Sequence, residues 1–110
     1  MELSEIREKI DILDEQMLEL FLERMALAEE IAAYKNEHHI PIVNRGRERE
    51  ILSKVARQAG AQEPYAHHLF TTLFQLAKAR QAELLSAPSQ VAKVVEAALK
   101  SGEAVFHKTG

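Results

Sequence analysis

The feature that most constrains the fold is an unbroken apolar stripe at the start of the chain. Leu3, Ile6, Ile10, Leu13, Met17, Leu20, Leu27, Ile31 and Tyr34 follow one another at steps of three and four, with a single gap at position 24. That spacing is a helix with a heptad seam. No proline or glycine interrupts residues 3–36. A helix of this length runs about 50 Å at 1.5 Å per residue. One compact domain of 110 residues is too small to cover such a rod. The stripe is therefore expected to pack along a partner chain.

The gap in the seam is Arg24. A guanidinium in an apolar seam is costly unless it snorkels, pairs with an acid or meets an anionic ligand. Two further cations bear on the choice. Lys35 stands eleven residues later, about three turns and roughly 16 Å along the same face. Arg24 and Lys35 can converge on a small anion held between them. Arg7 lies about 25 Å from Arg24 along the axis. One helix cannot bring Arg7 and Arg24 to one small ligand, whereas an antiparallel partner helix can.

The rest of the chain reads as further helices. His38-His39-Ile40-Pro41-Ile42-Val43 is a short connector, and Pro41 stops propagation of the first helix. Asn44 is placed as an N-cap, and a second helix follows through Ile51, Leu52 and Val55 until Gly60. Gly46 is a weak point in its first turn. A third helix begins near Pro64. It carries one apolar line through Tyr65, Leu69, Leu73 and Leu76, and another through Phe70, Phe74 and Ala77 to Gln81. Ser86-Ala87-Pro88 ends it. The expectation is an all-α domain over 1–86 and a linker or tail over 87–110, with a short amphipathic helix at 89–100.

Two further polar residues occupy inward positions. Glu48 shares a face with Leu52 and Val55, and Gln81 continues the line of Phe70 and Phe74. Asn44 is satisfied as a cap whether or not it does more. Arg47 suits either solvent or a nearby acid. Each residue alone has an ordinary structural explanation: a rim ion pair for Glu48, a satisfied core amide for Gln81. Together they make a pocket of cations, one neutral donor and one acid.

That inventory holds no nucleophile. The chain has no cysteine, which excludes disulfides, thiolate catalysis and cysteine-ligated zinc. His38-His39 and His67-His68 are adjacent pairs, which diverge on a helix, so no metal spacing appears. There is no glycine-rich phosphate loop. A net charge of −3 without a basic block argues against nucleic acid. No apolar run is long enough to span a membrane, and acids at Glu2 and Glu5 do not suit a signal peptide. Cytoplasm is the expected compartment. The pocket suits a small dianion held in one conformation, with catalysis by orientation and electrostatics.

Ile6-Arg7-Glu8-Lys9-Ile10-Asp11, Leu13-Asp14, Leu22-Glu23-Arg24, Lys35, Pro41-Ile42, Asn44 and Arg47-Glu48-Arg49-Glu50 resemble, in this order, the all-helical (AroQ-class) chorismate mutases. The resemblance covers residues 3 to about 85. It implies an intertwined homodimer of three helices per chain, with two active sites. It also implies rearrangement of chorismate to prephenate without cofactor or covalent intermediate. On that resemblance Arg7 comes from the partner chain and joins Arg24 on the two substrate carboxylates. Lys35 contacts a carboxylate and the breaking ether oxygen, and Gln81 donates to that oxygen. Asn44 and Glu48 face the substrate hydroxyl, with Arg47 behind them.

Two positions depart from the family pattern. Asn44 stands where aspartate is common, keeping an acceptor and the cap. Ala77 stands where a serine is frequent, which removes one hydrogen bond to a substrate carboxylate. Another register, matched on Leu73-Phe74-Gln75-Leu76, would move Gln81 to the serine position and Leu85 to the donor position. Tyr65 with Leu69-Phe70 supports the register that keeps Gln81 as donor. Residues 87–110 resemble the linker of bifunctional chorismate mutase–prephenate dehydratases, so the chain is expected to be the N-terminal mutase domain of such a protein. Two other readings stay open: a non-catalytic helical dimerisation or regulatory module, and an isochorismate pyruvate lyase on the same fold. The Arg47-Glu48 pair favours the mutase over the lyase.

Overall fold

The computed structural model describes residues 1–85. They form α1 (Leu3–Glu37), α2 (Arg45–Ala59), one turn of 3₁₀ helix (Gly60–Gln62) and α3 (Glu63–Leu84). No strand occurs among the described residues, so the fold is all-α. The expected tail at 87–110 and its short helix lie outside the described residues.

Local chemistry sets the boundaries. At the end of α1 the amide of Ile40 bonds the Lys35 carbonyl at 2.8 Å and the amide of His39 bonds the Asn36 carbonyl at 3.4 Å. This is a Schellman closure, and its left-handed residue is His39 at φ 54°. Glycine usually takes that place, because a side chain there costs about 1–2 kcal/mol. The ring of His38 stacks on Tyr34 with centroids 4.0 Å apart. Asn44 caps α2: its side-chain oxygen accepts the Arg47 amide at 3.0 Å. Gly60, at φ 57°, turns the chain out of α2, and Pro64 lies in the first turn of α3. The 3₁₀ turn between these helices is not evident from the sequence.

α3 is the middle element. It packs on α1 and on α2, while α1 and α2 do not pack on each other. The stripe of α1 that faces α3 runs through Phe21, Met25, Ala28, Ala32 and Lys35, all buried or half-buried. It is not the heptad seam read from the sequence. Ala28 and Ala32 let the helices approach, and Phe74 and Ala82 fill the facing surface of α3. Outside this seam Arg80 bonds Glu29 across the two helices at 2.8 Å and Glu83 on its own helix at 3.2 Å.

The large apolar residues of the heptad seam of α1 remain uncovered. Residues 1–20 are exposed throughout, including Ile10, Leu13 at 56% and Leu20 at 63%. These positions recur at the three- and four-residue steps of a heptad seam and meet nothing in the single chain.

Candidate active site

A cleft of about 290 Å³ opens between the second half of α1, the start of α2 and the second half of α3. Leu27, Ala28, Ile31, Ile51 and Phe74 make its apolar walls. Six polar residues singled out from the sequence line this cleft: Arg24, Lys35, Asn44, Arg47, Glu48 and Gln81. Arg7 does not. It sits on the exposed first half of α1, about 25 Å up the helix from Arg24.

Arg24 projects from α1 over the ring of Phe74, with its guanidinium 5.7 Å from the ring centroid. Partial burial holds its pKa below the ordinary value, but an arginine stays charged. No acid among the described residues pairs with it. It is a desolvated cation with an aromatic floor and an open front.

Lys35 stands in the last turn of α1. Its ammonium donates to the Ile42 carbonyl at 2.7 Å. This bond ties the connector to α1 and aims the head at the cleft. An ammonium has three donors, so two remain for a ligand.

Gln81 is 5% exposed, and its amide nitrogen donates to the Ala28 carbonyl at 2.9 Å. One N–H therefore fixes the amide across the α1–α3 seam, and the second N–H is left for a ligand. Ala77, one turn earlier, also lines the cleft, whereas Leu85 does not.

From α2 come Asn44, Arg47 and Glu48. Asn44 spends its side-chain oxygen on the cap, which leaves its amide group as a donor. Arg47 pairs with Glu50 at 3.1 Å in an exposed position. Glu48 pairs with Lys78 of α3 at 3.1 Å, and the two side chains are 26% and 15% exposed.

Lys78 is the lining residue that sequence reasoning missed. A lysine on a helix is read as solvated. The signal was its register: Phe74, Lys78 and Gln81 follow at steps of four and three, so they share one face.

The arrangement can bind and orient an anion. Two cations from α1, one from α3 and an amide donor converge, and no cysteine exists to act as a nucleophile. Among the described residues no cluster of three metal-ligating side chains occurs, and no helix is long and apolar enough to cross a membrane.

Residues 6–82 match the family described as chorismate mutase type II. The chain is 36% identical over 86 residues to a chorismate mutase of Methanocaldococcus jannaschii, which covers 76% of this chain and 87% of that protein. It is 41% identical over 71 residues to the bifunctional chorismate mutase/prephenate dehydratase of Escherichia coli K12, covering 64% of this chain and 18% of that protein. With the bifunctional protein of Aquifex aeolicus the identity is 45% over 56 residues, 51% of this chain and 16% of that protein. No solved structure matches the chain.

Proposed function

Because the chain belongs to the chorismate mutase type II family, we propose that it rearranges chorismate to prephenate in a cleft completed by a second copy of itself. One observation carries the reading. Arg24, Lys35, Glu48 and Gln81, four helix positions far apart in sequence, meet in one cleft that, among the described residues, no serine, threonine, cysteine or histidine lines.

The chemistry follows from the substrate. Chorismate is a dicarboxylate with an enolpyruvyl ether. In the rearrangement the ether C–O bond breaks as a C–C bond forms within the same molecule. Negative charge gathers on the ether oxygen in the transition state. Donors aimed at that oxygen help the transition state more than the substrate. Gln81 keeps one N–H for it, with the other held by Ala28. Lys35 keeps donors for it and for a carboxylate, with one held by Ile42. Arg24 binds a carboxylate, and the cation for the other is the partner subunit's Arg7. Glu48 accepts from the substrate hydroxyl beside Asn44. Orientation of a compact conformer supplies the remainder.

The exposed seam of residues 3–20 supports an antiparallel homodimer, which would bring each Arg7 to the other chain's cleft. The matches to bifunctional proteins support a further reading, that the chain serves as the mutase domain of a bifunctional enzyme. It spans less than a fifth of those relatives. The proposed compartment is the cytoplasm.

The test is an assay of the purified protein with chorismate and, separately, with isochorismate. Formation of prephenate from chorismate is the expected result. Release of pyruvate from isochorismate alone would make the protein a lyase. Silence toward both would leave the dimerisation module as the better reading.

A further inference from the structure

Lys78, which pairs with Glu48, has no role in the chemistry above. Among the described residues Glu48 is the one carboxylate that lines the cleft, and position 44 beside it is an asparagine. It shares that space with Arg24, Lys35 and Lys78, while Arg47 is engaged by Glu50. A flexible carboxylate among free cations closes on the nearest one it can reach. If it closed on Arg24 or Lys35, it would neutralise the groups that bind the substrate.

We propose that Lys78 is a positioning residue: it holds Glu48 by one oxygen and so keeps that carboxylate off Arg24 and Lys35. The inference rests on the mutase reading of this cleft. Lys78 takes Oε2 at 3.1 Å, and Oε1 stays available to accept from the substrate hydroxyl. The pair joins α2 to α3 and is mostly buried, so water weakens it less than it would a surface pair. Three cations and one carboxylate leave two uncompensated positive charges in one chain's cleft. With the partner subunit's Arg7 the completed site would carry three, an excess that attracts a dicarboxylate. Lys78 also stands beside Ala77, where no side-chain hydroxyl is present to help hold the substrate. The cleft therefore depends more heavily on keeping Arg24 and Lys35 unquenched.

A double-mutant cycle tests this. Lys78→Met keeps the stem and removes the charge. It should lower kcat/KM for chorismate about tenfold, chiefly by raising KM, since the released Glu48 competes with substrate for the cations. Lys78→Arg should restore kcat/KM to within about threefold of the parent. In a Glu48→Gln background, Lys78→Met should change kcat/KM less than about twofold, because no carboxylate is left to hold. Equal losses in both backgrounds would overturn the inference, as would parental kinetics in the single variant. Should Lys78→Met fail to fold by circular dichroism, Lys78→Gln carries the same cycle and the same outcomes. A parent protein without mutase activity would refute the mutase reading, whereas an active parent with an unaffected Lys78→Met refutes only the role of Lys78.

Discussion

The two halves of α1 have the same kind of sequence and opposite fates. Residues 21–37 lie on α3 through Ala28 and Ala32, carry Arg24 and Lys35, and face a cleft. Residues 3–20 carry equally large apolar residues on the same heptad and bury none of them. The difference lies in what each half meets. Small side chains let the second half close on its own chain. The first half bears Ile6, Ile10, Leu13 and Met17, a surface suited to another helix with the same repeat. A chain alone thus packs one face of its longest helix at one end, where Leu22, Leu27, Ile31 and Tyr34 still stay exposed, and packs none of it at the other. Arg7 sits on the wholly exposed end.

The largest expected effect breaks that contrast at the exposed end. If residues 3–20 are buried in a dimer, Leu13→Ala should cost about 2–5 kcal/mol per copy, with two copies affected in a symmetric dimer. Denaturant midpoints should fall and should depend on protein concentration. If the first half of α1 is solvated in the working protein, the same change should stay within about 0.5 kcal/mol.

A smaller effect sharpens it at the packed end. Removing one donor to a developing oxyanion costs about 10²–10³ in rate, so Gln81→Ala should lose activity on that order. It should also lose a little stability, about 1 kcal/mol, because the bond to the Ala28 carbonyl goes with it. Gln81→Glu separates the two roles by pH. An ionised carboxylate can donate to neither the ether oxygen nor the Ala28 carbonyl, whereas a protonated one can donate to one of them. Burial and the facing carbonyl raise the pKa of this carboxyl in the folded state above its unfolded value of about 4.3. The variant's added stability is then fully present below about pH 4.3 and is lost as pH rises through the folded pKa. Activity of Gln81→Glu should therefore be poor at pH 7–8 and rise as pH falls, with a much weaker trend in the parent. A flat profile at the parental rate would show that Gln81 does not touch the reacting oxygen, and would return the alternative register with Leu85 at that position.

The smallest effect concerns the entry to α2. Asn44→Ala removes the cap on the Arg47 amide and should cost about 0.5–2 kcal/mol in thermal or chemical unfolding. A larger loss of activity than this destabilisation explains would mark Asn44 as a substrate contact as well as a cap.

Much of this was legible in the sequence, for identifiable reasons. Periodicity exposed α1, the cap at Asn44 and the proline at Pro64 bounded the later helices, and Gly60 marked a turn. Arg24, Glu48 and Gln81 stood out because each broke an apolar line. What was not legible lacked such contrast. His39 takes a left-handed conformation where glycine is the usual sign. Ala28 and Ala32 form the packing stripe without looking hydrophobic beside leucine and isoleucine neighbours. Lys78 looks like any surface lysine until α2 brings Glu48 to it. Contacts between helices depend on the angle at which they meet, and a single helix's sequence does not encode that angle.

The central claim is that each site takes Arg7 from the other chain, and subunit exchange tests it most directly. Arg7→Ala and Lys35→Ala homodimers should each be nearly inactive, because every site in them lacks one cation. Mixed and allowed to exchange, they form heterodimers in which one site has both residues and the other has neither. At equal amounts and random exchange, about one quarter of all sites become intact, so activity should return to about a quarter of the parental value. If the exchanged mixture stays as inactive as its parents, Arg7 does not act across the dimer.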